Sequence, residues 1–171
     1  MITKKTDTEQ TVDNTFNKNS ASPTGSSTFD PNNSEDVKRW GQEQYAQVMK
    51  YCNKNLLTID HLQQSKSSVL PPLLAIWNIK LLTKPASEIW VIGGKVSMDH
   101  VSTEVASNAR EALRHFSLSW QMKASTLERN LQSASNNLDL EQQKKVIQTL
   151  ITEAEAIYDL YADDNLWKQS V

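Results

Sequence analysis

The sequence predicts an α+β fold: an antiparallel β-hairpin packed against about three α-helices, behind a disordered N-terminal tail. Three observations predict it. Apolar alternation of period two over Leu73–Leu82, followed by the aromatic, β-branched run Glu88–Ile92, reads as two strands. Apolar stripes at spacings of three and four flank that pair on both sides. Residues Met1–Asn33 contain almost nothing that could join a core.

In the tail, Phe16 and Phe29 are the sole aromatics, among Thr, Ser, Asn, Asp, Lys, Gly and Pro. Such a stretch buries too little apolar surface to offset its ordering entropy, so residues 1–33 are expected to be disordered. The tail lacks the apolar core of a secretory signal, and its four acids and absence of Arg disfavour a transit peptide. Residues 34–171 then form a single α+β domain.

The first helix is expected from Ser34 as N-cap, with Glu35 and Asp36 in the first turn. Val37, Gly41, Tyr45, Val48, Cys52 and Leu56 make its stripe, which Trp40 and Tyr51 widen. It should end near Asn53–Asn55. On the first strand, Leu73, Ala75, Trp77, Ile79 and Leu81 share one face. The other face, Leu74 to Leu82, is apolar at one end only. Gly93-Gly94 ends the second strand.

A two-stranded hairpin is marginal in water without cover. The next stripe supplies it: Val101, Val105, Ala109, Ala112, Phe116, Trp120, Ala124, Leu127 and Leu131, with Asp99 as N-cap and an end as late as Asn136. Asp139 with Gln142 resembles a capping box for the last helix. Val146, Ile147, Leu150, Ile151, Ala154, Ile157, Tyr158 and Tyr161 are its apolar face, ending at Asp163-Asp164-Asn165.

The words WVIGGKVSMDH (Trp90–His100), AREALRHFSLSWQ (Ala109–Gln121) and PPLLAIWNIK (Pro71–Lys80) resemble the bacterial family called domain of unknown function 4826. The resemblance runs from about Trp40 to Tyr161. Gly94, Asp99 and His100 match the family's pattern. Lys95 stands where an acidic residue is usual, and Ser97 where a Pro is usual. That departure argues against a family-wide catalytic role for the turn. The resemblance implies a soluble cytoplasmic bacterial protein and supplies no activity.

Composition narrows function further. The net charge of −2 forces no basic face, which argues against nucleic-acid binding. No segment approaches the roughly 18 apolar residues of a membrane span. Cys52 is the single cysteine, which excludes an intrachain disulfide and fits a reducing, cytoplasmic compartment.

Asp99-His100 is the sharpest local feature. An Asp beside a His could orient an imidazole for general-base work, weighed against the N-cap. His100 and Glu104, four apart, offer two metal ligands where a catalytic zinc needs three, so neither metal nor cofactor is expected. Gly93, Gly94 and Lys95 could present an anion with backbone N–H groups and a cation, or be a plain turn. Arg110 and Arg114, with Ser117 and Gln121, form a polar stripe. The arginines could bind a phosphate or pair with Glu153, Glu155 or Asp159 of the last helix.

Leu118 and Met122 lie opposite the main stripe, at 100° per residue. They are expected either beneath the first helix or against a second subunit, with the first favoured. Trp167, beyond the last helix, is expected as an exposed contact residue. The expected function is a non-catalytic interaction or regulatory module with a protein partner or as a homodimer, and without nucleic acid or membrane. The alternative is a ligand-binding or hydrolytic protein using Asp99, His100, Arg110 and Arg114.

Overall fold

A computed structural model describes residues 29–133 and 139–168. The expected tail falls outside the described residues as far as residue 28. Residues 29–33 are described, and they serve the first helix. Asn33, rather than Ser34, caps it: its side chain accepts from the Glu35 N–H at 3.0 Å. The Asp30 N–H donates to Asp36 Oδ2 at 3.1 Å.

Among the described residues the fold is α+β, with four helices and a five-stranded antiparallel sheet. Helix α1 (Ser34–Lys54) leads into strands β1 (Ile59–Leu62), β2 (Ser68–Leu70), β3 (Leu74–Leu81), β4 (Ser87–Gly94) and β5 (Asp99–Ser102). A short 3₁₀ turn, Thr103–Val105, precedes α2 (Ala109–Ser133), α3 (Leu140–Ala162) and the single-turn α4 (Asp164–Trp167). No helix of the described residues is long and apolar enough to cross a membrane.

The expected hairpin is the centre of the sheet, β3 pairing β4 from Leu74↔Gly94 to Leu81↔Ser87. Strands β1 and β2 both pair β3 on its other side, β1 at its far end and β2 at its near end. They act as one interrupted edge strand. The interruption is satisfied internally: Gln63 N donates to Asn78 O at 2.9 Å, and Asn78 N donates to Ser67 Oγ at 2.9 Å. Strand β5 closes the opposite edge against β4, with Ile92↔Asp99 and Trp90↔Val101. These short strands carry too few residues for a period to show.

Pairing on β4 overturns the expected start of the third helix. Asp99 is the first residue of β5 and not a helix cap. Val101 lies in β5, and Val105 ends the 3₁₀ turn, 47% exposed. Helix α2 begins eight residues after Val101, where Asn108 Oδ1 accepts from the Glu111 N–H at 2.9 Å. The four-residue spacing of Val101, Val105 and Ala109 mimics a helix. The unpaired edge of β4 claims the segment instead. The end expected near Asn136 lies outside the described residues. Asp139 stands at the start of α3, but its side chain makes no capping bond.

The sheet separates two cores. On one face Leu74, Ile76, Trp90 and Ile92 pack under Ala112, Leu113, Phe116, Trp120, Ile147, Leu150, Ala154 and Ile157. On the other, Ala75, Trp77, Ile79, Leu81, Ile89 and Val91 meet Val48 and Cys52 of α1. Both faces of β3 and β4 are buried, so each needs a helical layer. This corrects the placement expected of α1, which lies across the sheet from α2 and cannot cover Leu118 and Met122. Those two are 43% and 72% exposed. Leu56 also leaves the α1 stripe. It follows the helix at φ 59° and is 91% exposed, while Leu57 packs in its place.

Candidate functional site

The turn between β4 and β5 is shaped by contact. Gly94 has φ +123°, and a Cβ there would sit 2.6 Å from Leu73 O. No residue but glycine fits both the conformation and the approach. The turn's donors point inward. Lys95 N–H donates to Leu73 O at 2.8 Å, and Ser97 N–H donates to Glu153 Oε2 at 3.0 Å. A carboxylate of α3 thus occupies one place where the Gly93-Gly94-Lys95 expectation put a bound anion. Lys95 itself is exposed.

Beyond the turn, Asp99 is held from two sides. Its Oδ2 accepts from the indole N–H of Trp120 at 2.8 Å, and its Oδ1 accepts from the His100 N–H at 2.8 Å. The carboxylate therefore spans β5 and α2. A buried indole nitrogen needs an acceptor, and Asp99 is that acceptor. His100 turns towards α1, its Nδ1 2.8 Å from Tyr51 Oη, with the rings edge to face at 5.7 Å. Burial, then the Asp99 charge, then Cys52 push the Tyr51 hydroxyl up to about 12. Tyr51 stays a neutral phenol through ordinary pH. Burial also pushes the Cys52 thiol up, away from the thiolate that reacts.

Tyr51, Ser97, Asp99, Trp120, Lys123 and Lys145 border an open cleft of about 490 Å³ among α1, the turn, α2 and α3. Two lysines and one carboxylate make it polar.

Arg110 belongs to a different place. Its Nε donates to Tyr161 O at 3.0 Å and its Nη2 to Asp164 Oδ1 at 2.6 Å. The guanidinium lies over the Tyr161 ring at 5.2 Å and the Trp167 ring at 5.9 Å. It clamps the end of α3 and the start of α4 onto α2, and it holds the exposed Asp164 carboxyl below its ordinary range. The acid paired is Asp164, not Glu153, Glu155 or Asp159. Trp167 is half-buried against the main core, its indole N–H donating to Leu160 O at 2.9 Å. Trp167 therefore does not stand exposed, as its expected contact role required. Arg114 reaches Glu111 of its own helix at 3.8 Å. Ser117 leaves the polar stripe: it is fully buried and donates to Ala154 O at 2.8 Å where α2 crosses α3.

Arg110, Lys66, Ser65, Ser68, Ser107 and Trp90 border a second cleft of about 500 Å³, between β2 and the start of α2. So the four residues of the hydrolytic alternative divide: Asp99 lines the first cleft, with His100 beside it in sequence, Arg110 lines the second, and Arg114 lines neither. Among the described residues, no three His, Cys, Asp or Glu side chains gather as metal ligands. His61 pairs with its neighbour Asp60 at 3.1 Å on the surface.

Sequence reasoning missed Tyr51 and Trp120 as partners of the Asp-His pair, and the serines around the second cleft. The signal for Trp120 was present: a tryptophan in an apolar stripe needs an acceptor, and Asp99 carries a carboxylate. The serines gave no signal, because serine in loops is ordinary.

The family model for a domain of unknown function (DUF4826) matches residues 35–167, and the chain belongs to that family. No curated protein and no solved structure matches the chain.

Proposed function

We propose that this member of the DUF4826 family is a non-catalytic interaction or regulatory module of the bacterial cytoplasm. The observation that carries the reading is how its chemistry-bearing side chains are spent. Asp99 holds an indole and a backbone N–H, His100 is tied to a neutral phenol, and Arg110 clamps the end of α3 and α4. A general base must be free to meet a substrate proton, and a hydrolytic site must gather its groups in one concavity. Here the groups hold elements together and open onto separate clefts. Leu118 and Met122, exposed on the far side of α2, support contact with another protein. The buried lone cysteine fits a reducing compartment.

A turnover assay on nitrophenyl esters and phosphate monoesters, with Asp99→Asn and His100→Gln beside the parent, tests the proposal. The expected result is no rate that depends on either residue. A parental rate lost in both variants, each still folded by circular dichroism, overturns the reading in favour of hydrolysis.

A further inference from the structure

Building on the interaction reading above, we propose that the outer face of the α2–α3 pair binds a second copy of this chain, antiparallel about a two-fold axis at Ile151. Two bonds set the register of the helix pair: Ser117 Oγ donates to Ala154 O, and Arg110 Nε donates to Tyr161 O. That register puts the midpoint of Leu118 and Met122 level with Ile151. Trp120 faces the sheet through Asp99. Leu118 and Met122 lie about 160–200° around α2 from it, on the outer side, 43% and 72% exposed. On α3, Glu153 faces the β4–β5 turn, where it accepts the Ser97 N–H. Ile151 and Glu155 each lie about 160–200° around the helix from Glu153, so they share the outer side with Leu118.

The charges on this face say what covers it. Lys144, Gln148, Ile151 and Glu155 recur at helical spacing, with Asp159 one turn further. One end of the stripe is cationic, its middle is apolar, and its other end is acidic. Glu155 and Asp159 are exposed, and neither carboxylate has a partner among the described residues. Arg114, at that end of α2, is taken by Glu111 at 3.8 Å. Lys144 pairs with Glu141 of its own helix, both well exposed, an arrangement worth little in water.

An antiparallel second copy matches that order. Its Asp159 stands opposite Lys144, and its Glu155 opposite Gln148. Both pairs are centred on the Ile151–Thr152 bond, so one axis satisfies them together and each is made twice. The same axis gathers Leu118, Met122 and Ile151 of both copies. Apolar contact supplies the attraction, and the charge order selects a second copy and its direction, since a parallel copy would set acid on acid. Each core is complete without the other copy, so the chain folds and melts as a monomer at micromolar concentration. An interface this small places association on the order of 0.1 mM.

The test is sedimentation equilibrium of the full chain from micromolar to roughly 1 mM. The expected result is a monomer at the low end and a reversible dimer at the high end, weakened by salt. Lys144→Glu and Asp159→Lys should each weaken association by roughly tenfold or more. The two changes in one chain exchange the charges and should restore it to within about threefold. Leu118→Lys with Met122→Lys should abolish it. Circular dichroism at micromolar concentration should match the parent in every variant, because the changed residues are exposed. A parent that stays monomeric throughout overturns the dimer, whatever the variants do. That result leaves the interaction reading to a different protein, and only turnover lost in Asp99→Asn and His100→Gln overturns that reading. A dimer that either single charge reversal leaves equally strong, or that the combined reversal fails to restore, overturns this face and this direction.

Discussion

On one face of the sheet, α2 and α3 cover Leu74, Ile76, Trp90 and Ile92 with Phe116, Trp120, Leu150 and Ile157. On the other, α1 alone meets Ala75, Trp77, Ile79 and Val91 with Val48 and Cys52. The first face is also pinned by polar bonds: Trp120 to Asp99, Trp90 to Ala106 O, and Ser117 to Ala154 O. On the second, α1 reaches β5 through Tyr51 and His100, and Trp77 Nε1 is buried without a partner among the described residues, as the Asn78 amide is on the first. Two layers of equal necessity are therefore held to different degrees. Apolar area sets the attraction, and hydrogen bonds set which residues meet.

The largest expected break is Trp120→Ala. It removes a fully buried indole and strands the Asp99 carboxylate, and should cost on the order of 3–5 kcal/mol. Val48→Ala on the α1 face removes two methyl groups and should cost about 2 kcal/mol. Urea unfolding followed by circular dichroism checks both. A Val48→Ala loss as large as that of Trp120→Ala would erase the difference between the faces.

Next comes the bond between the sheet and α2. Asp99→Asn and Trp120→Phe should each cost roughly 1–3 kcal/mol, since each leaves or weakens a buried partner. The double variant should lose less than the two single losses added, because both remove one interaction. Full additivity in a denaturant series would mean that Asp99 and Trp120 act apart. A large loss for Asp99→Ala with none for Asp99→Ser would restore the helix-cap role that β5 displaces.

A smaller effect concerns Tyr51. Its folded pKa, about 12, lies above the ordinary value of 10.0. The folded state favours the neutral phenol, so the contribution is fully present below pH 10. It is lost as pH rises from there through about 12. Tyr51→Phe should flatten that part of the alkaline stability curve, because phenylalanine has no proton to lose. Identical slopes between pH 9 and 11, by thermal melts, would show that Tyr51 ionises as freely folded as unfolded.

The smallest expected effect is at the exposed pair. Leu118→Lys with Met122→Lys should change stability by no more than about 0.5 kcal/mol, as surface changes do. A fall of several degrees in melting temperature would mean that a layer covers them after all. Sedimentation of both proteins would say whether that layer is a second copy.

Much of this was open to reading along the chain. The hairpin, the stripe from Ala109 to Leu131 and the last helix follow from periodicity, as does one apolar face of β3; its other face reads as apolar at one end only. Strands β1, β2 and β5 did not show, because three or four residues hold no period and Asp99-His100 imitates a helix start. At the candidate sites, Asp99 and Arg110 drew notice by residue type, yet their partners lie 21 and 51–54 residues away.

Sequence alone determined the elements that repeat locally, since a helix or strand face is written into the spacing of its own side chains. Tertiary structure alone decided which layer met which face, that Asp99 serves Trp120, and that Ser65, Ser67 and Ser68 stand opposite the first turn of α2. Those outcomes depend on backbone edges and buried donors finding partners across the fold. No local spacing encodes that search, because the groups that satisfy each other are brought together only by burial.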